Sequence, residues 1–345
     1  MSISFRLVAA KEVVRRMFGA ITVALALVTF SLTNGSFIRA QPTRSWVSPK
    51  VRLPDEAAGI DEIVGALIAA FDQADIIALG EWHGRIGLDS DLRLALVRHP
   101  HFAKRVRSIV IECGSVKEQS TLDRYIRGES VPRAQLENVW KATAETTNGF
   151  CDAPAYADFL TAVRDVNSRL HPEAHIRVLG GHPGPGANRG VENTAVSVLS
   201  EQVLRKHSKA LVVFGAAHFY RTLPTDVLSS QGDDTGIPSK LETGFPGRTL
   251  VVIPVGPLDR PPGVTGDIVP DFRKFDSALK TGSRPVLISL QRLPFRDFKA
   301  EEFLGRTVTT CDRSRGCTSA FKGSTLTLGQ MADACVYVGG RAGKL

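Results

Sequence analysis

Short apolar runs punctuate the chain: Ile76-Ile77-Ala78-Leu79, Ser108-Ile109-Val110-Ile111, Ile176-Arg177-Val178-Leu179, Leu211-Val212-Val213-Phe214, Thr249 to Pro254, Pro285 to Leu290 and Cys335-Val336-Tyr337-Val338. Runs of this length, apolar at consecutive rather than alternating positions, predict strands buried on both faces, as in a parallel sheet. Before and between the first four runs, apolar residues recur at helical spacing. Asp61 to Ala74, Gly87 to Arg98 (ended by His99-Pro100), Val116 to Arg127 (stopped by Gly128), Tyr156 to Leu170 and Glu192 to Lys206 each read as a helix.

Strands alternating with helices in this way predict an α/β fold, a mostly parallel sheet with helices on both faces and a site at the carboxyl ends of the strands. Residues 41–345 are expected to form a single α/β domain with a loop-rich C-terminal third. Within it, Gln231 to Gly247 and Gly256 to Gly266 read as loops.

The first forty residues follow a different pattern. Arg6, Lys11, Arg15 and Arg16 precede an uncharged stretch from Met17 to Ile38 whose apolar heart runs from Ile21 to Leu32. This reads as an export signal over 1–40 with cleavage after Ala40, the other reading being an uncleaved membrane anchor. Arg15-Arg16 before Met17-Phe18 hints at twin-arginine export. The expected destination is periplasmic or secreted, with membrane contact only through the N-terminal segment if it is uncleaved.

Charge and cysteine content sharpen this. Removing residues 1–40 takes away five basic groups and one acid, lowering the formal net charge from +8 to +4. The remaining Lys and Arg are scattered among acids with no basic stripe, which excludes nucleic acid and leaves a small-molecule substrate as the expected partner. The cysteines are Cys113, Cys151, Cys311, Cys317 and Cys335; the turn-like spacing of Cys311 and Cys317 makes them the preferred disulfide pair. None stands in a Cys-x-x-Cys pair, against a thiolate zinc or thioredoxin-type centre.

The candidate chemistry gathers where the runs end. Gly80-Glu81-Trp82-His83 closes the first and Gly215-Ala216-Ala217-His218 the fourth, a repeated Gly-x-x-His spacing. Glu112 ends the second run, and His182 follows the third in Gly180-Gly181-His182-Pro183. If residues 80–83 stay extended, Glu81 and His83 point the same way, a carboxylate and an imidazole suited to general base chemistry or to metal binding. A bland alternative stands beside each: strand-end carboxylates and imidazoles also cap the helix that follows, and His182 could be a loop residue. Arg93, one turn past Asp89, is a candidate to hold the carboxylates or the substrate, or a surface charge.

At these residues the chain resembles the superfamily that groups erythromycin esterases, ChaN haem-binding lipoproteins, TraB and Tiki proteins. Ala78-Leu79-Gly80-Glu81-Trp82-His83-Gly84, Ile111-Glu112 and Leu122-Asp123-Arg124-Tyr125-Ile126-Arg127-Gly128 are most similar to the erythromycin esterase branch, over roughly residues 75–221. The resemblance implies an exported hydrolase with a His/Glu site that activates water against an ester or related bond, without a required cofactor. It carries the base onto His83, assistance onto Glu81 and Glu112, and substrate or oxyanion binding onto His218. Related chains often have an aspartate where this one has His182, and an Arg-Asp pair near Val191-Glu192.

Two alternatives stay open. A ChaN-like protein would bind haem through His83, His218 or Tyr220, though no cysteine for lipid attachment follows the apolar signal. A Tiki-like hydrolase would hold a divalent metal on Glu81, His83 and His218. His182, Tyr220 and Arg93 complete the expected substrate-binding set. No Gly-x-Ser-x-Gly elbow occurs, which disfavours a serine-hydrolase mechanism.

Overall fold

The expected strand and helix cycles appear in a computed structural model, which describes residues 51–82, 88–143, 151, 153–185, 190–224, 236–256, 272–304, 309–312, 316–319 and 321–339. All of them fall within one unit, Trp46–Leu345. Glu56–Ala58 (β1), Ile76–Glu81 (β2), Ser108–Ser115 (β3), Arg177–His182 (β4), Ala210–Gly215 (β5), Thr249–Val255 (β6) and Val286–Ser289 (β7) are followed by the hairpin Thr309–Asp312 (β8) and Gly316–Ser319 (β9), then Ala334–Tyr337 (β10). Eight of these build one sheet in the order β1-β7-β10-β6-β2-β5-β3-β4. β4, β3, β5, β2, β6 and β10 are mutually parallel, while β7 runs antiparallel to both β10 and β1.

The two faces bury different halves of the chain. Ile77, Leu79, Ile109, Ile111, Val178, Leu211 and Val213 pack against helices from the first half, including Ile60–Ala70, Leu88–Arg98 and Ala153–Asn167. Ile76, Ala78, Val110, Leu179, Val212 and Phe214 pack against Val191–Gln202 and the C-terminal elements. Successive residues of one strand thus serve opposite cores, which is why the runs carry no polar alternation.

The sequence placed the main strands within a few residues and missed smaller features. The segment at Val116 opens as a 3-10 turn, Val116–Glu118, before the helix Gln119–Ile126. A helix at Arg133–Lys141 and the short β1 were not expected. Inside the expected loop 231–247 lies the helix Ile237–Glu242, which starts with Pro238 in its first turn and buries Ile237, Pro238 and Leu241. Most of the second expected loop, 256–266, lies outside the described residues. No helix among the described residues is long and apolar enough to cross a membrane.

The disulfide joins Cys113 to Cys151, 38 residues apart. Cys335 is a free, buried thiol whose pKa is pushed up by burial. The expected partners Cys311 and Cys317 face each other in register across β8 and β9, but their side chains lie outside the described residues.

Candidate active site

β2, β5, β3 and β4 are neighbours; β2 ends in Glu81, β4 in His182, β5 leads into His218, and Glu112 lies within β3, three residues before its end. Side-chain alternation splits these residues between the faces: Glu81 continues the register of Ile77 and Leu79, whereas Glu112 continues that of Val110. The carboxylates therefore stand on opposite sides of the sheet edge. Gly215 connects them, because it lies opposite Glu81 in the β2–β5 register and its N–H donates to Glu112 Oε2 at 2.6 Å.

Glu81 is buried, and both its oxygens accept hydrogen bonds. Arg93 Nη1 donates to Oε2 at 2.5 Å and the Tyr156 hydroxyl to Oε1 at 2.5 Å. Arg93 comes from the helix after the first motif and lies over the Tyr156 ring, 4.7 Å from its centroid. Burial opposes the Arg93 charge, but Glu81 and its other neighbours outweigh that and hold its pKa above the ordinary value. Burial, reinforced by Glu81, raises the Tyr156 pKa well above the usual phenol range, so the hydroxyl stays protonated and donating. Asp89 ties the adjoining backbone by accepting from the Trp82 N–H at 2.8 Å. Arg93 is thus buried against a carboxylate and is not a surface charge.

On the other face His218 lies between two carboxylates. Its Nδ1 is 2.6 Å from Glu192 Oε1 and its Nε2 is 3.1 Å from Glu112 Oε1. Burial disfavours the imidazolium, yet Glu112 and then Glu192 overcome it and raise the His218 pKa well above 6.5, which favours the cationic ring. Burial would raise the Glu192 pKa, but the bond to His218 prevails and lowers it. The His218 side chain remains 22% exposed, which leaves the ring reachable from solvent. Phe214 meets it edge-on at 5.9 Å, in space that Gly181 leaves open: a Cβ at residue 181 would come within 2.5 Å of Phe214 Cζ.

His182, which the sequence left between a ligand and a loop residue, is the last residue of β4 and is fully buried. Tyr220 is placed elsewhere. It is buried in the core under the second face, edge-on to Phe321 with ring centroids 5.9 Å apart, not in the cluster expected to receive substrate or haem. His83 lies outside the described residues. The sequence did not single out Tyr156 or Glu192 as site residues: each sits in a helix at a position that reads as ordinary core or first-turn acid.

The described members of the expected metal and haem sets are already engaged. Among the described residues no group of three or more His, Cys, Asp or Glu is arranged to hold a metal ion. Glu81 already answers an arginine and a tyrosine, and both ring nitrogens of His218 already face carboxylates. Tyr220, packed in the core, does not present a haem ligand.

Fold and site together define an α/β protein with a paired carboxylate and imidazole cluster at the carboxyl edge of its sheet. No family model matches the chain, and no curated protein matches it. Among solved structures it is similar to a Bacillus cereus protein (13% identity over 85% of this chain and 94% of the other, TM-score 0.48). It is also similar to a mutant of the erythromycin esterase EreC in its open conformation (12%, 83% and 95%, TM-score 0.42). A third is the haem-bound ChaN of Campylobacter jejuni (16%, 58% and 87%, TM-score 0.30). Erythromycin esterase and ChaN, both named in the resemblance of the motifs, thus occur among the structures to which the chain is similar.

Proposed function

We propose that this protein is an exported hydrolase of erythromycin esterase-like type that directs water onto an ester or related bond of a small molecule. The observation that carries the reading is the position of His218, whose ring lies between Glu112 and Glu192 at the edge of the sheet and is still open to solvent. A fixed cation at this place suits the negative charge that develops on a carbonyl oxygen under attack. Its Nε2–H, in the looser of the two contacts, is the donor that can turn to substrate. Glu112 and Glu192 act by orienting that ring and sustaining its charge.

His83 takes the base role. The water oxygen bonds to the carbonyl carbon as its proton passes to His83. The carbon–oxygen bond to the alcohol then breaks, and the alcohol leaves with the proton from His83. Glu81, fixed by Arg93 and Tyr156, presents a fully ordered carboxylate two residues from that base. The Cys113–Cys151 disulfide supports an oxidising destination.

The test is an ester panel comparing wild type with His83→Ala and His218→Gln, each checked for intact folding by circular dichroism. Turnover is expected to fall at least 100-fold in both variants. Equal rates in wild type and His83→Ala would sink the assigned base, and absence of turnover on every ester would sink the hydrolase reading.

A further inference from the structure

Among the groups described above, His182 keeps a buried polar atom unused. His182 Nδ1 accepts the Gly184 N–H at 3.0 Å. Gly184 adopts φ +103°, a conformation that L side chains rarely take, so the turn that brings its N–H back onto the ring depends on glycine. An imidazole that accepts at Nδ1 carries its proton on Nε2. That Nε2–H is buried and has no hydrogen-bond partner among the described residues.

The surroundings keep the ring neutral. Burial lowers the His182 pKa; Glu112 favours its charge, but the His218 cation opposes it. The β4 end lies beside β3, with Ser115 and His182 in register. Buried donors are nearly always paired, so an unpaired one calls for an explanation in what the site is built to receive.

We propose that His182 is a further catalytic residue, a neutral hydrogen-bond donor whose Nε2–H receives the carbonyl oxygen of the substrate beside the His218 imidazolium. This rests on the hydrolytic reading of the site and adds its oxyanion donor. A neutral imidazole donates without drawing Glu112 away from His218, which a second cation would do. The pair divides the work: His218 supplies charge and His182 supplies a directed donor whose tautomer is set before substrate arrives. It also narrows the substrate to one that places a strong oxygen acceptor, a carbonyl or its tetrahedral adduct, against Nε2.

The experiment uses the full mature chain, p-nitrophenyl butyrate as ester and phenylphosphonate as a stable mimic of the oxyanion. His182→Phe removes the donor at similar size, whereas His182→Gln can restore an N–H near the Nε2 position. We expect kcat to fall about 100-fold in His182→Phe with little change in KM, and His182→Gln to recover much of it. In wild type, phenylphosphonate should move the His182 Hε2 proton resonance downfield, a readout that does not depend on any variant folding. Wild-type kcat in His182→Phe, or an Hε2 resonance unmoved by saturating phosphonate, overturns the proposal. The two readings fail separately: phosphonate binding at His182 without turnover of any ester would leave the donor and remove the hydrolase, whereas turnover indifferent to residue 182 would do the reverse.

Discussion

Replacing Glu192 by glutamine isolates the charge that holds His218. The amide keeps the size of the carboxylate and an oxygen near Nδ1, but removes the negative charge 2.6 Å away. A hydrogen bond to a charged partner contributes about 1.5–3 kcal/mol. Because Glu112 still faces Nε2 at 3.1 Å, the cation is not left alone, and the loss should lie toward the lower part of that range. The sign of the pH dependence follows from the raised His218 pKa. Stability from the ionised pair is fully present below the ordinary histidine value of 6.5 and is lost as pH rises through the raised value. Guanidinium denaturation of wild type and Glu192→Gln at a series of pH values should therefore show a gap of about 1.5–2 kcal/mol near pH 6 that closes on the alkaline side. A gap that is absent near pH 6, or that persists unchanged as His218 deprotonates, would refute the reasoning.

Other perturbations act on separate parts of the structure. Arg93→Met leaves the buried Glu81 without its cation and should cost about 3–5 kcal/mol in chemical denaturation, whereas Tyr156→Phe, which spares the ion pair, should cost about 1.5–3 kcal/mol. Opening the Cys113–Cys151 bridge with both cysteines changed to serine should lower stability by up to about 4 kcal/mol from chain entropy, measured against the unreduced protein. Ester turnover, if it needs the imidazolium, should hold through neutral pH and fall on the alkaline side as His218 loses its proton; a rate that rises through that limb would contradict the role given to the cation.

The strands were legible because burial on both faces leaves an uninterrupted apolar run, and Ile76 to Leu79 or Leu211 to Phe214 has no other ready reading. The same property hides direction. Nothing in Val286 to Ser289 tells that it runs against its neighbours, since that follows from how the chain returns to the sheet edge. Glu81, Glu112, His182 and His218 were visible because ionisable residues at strand ends stand out against apolar runs. Tyr156 was not, because an aromatic residue on the inner stripe of a helix looks like core, and its hydrogen bond to Glu81 spans 75 residues. Glu192 was hidden similarly, as an acid in the first turn of a helix is expected there for the dipole alone. The disulfide escaped because Cys113 and Cys151 meet only through tertiary packing, while Cys311 and Cys317 advertise a local turn.

The most direct measurement of the central claim is kcat/KM for p-nitrophenyl butyrate in wild type and Glu112→Gln, with the thermal midpoint of each recorded alongside. Glu112 is fully buried and holds both the Gly215 backbone and His218, so loss of its charge should disable the site. The account predicts hydrolysis by wild type and at least a 100-fold drop in Glu112→Gln while the variant remains folded at the assay temperature. Equal kcat/KM in two folded proteins would contradict it.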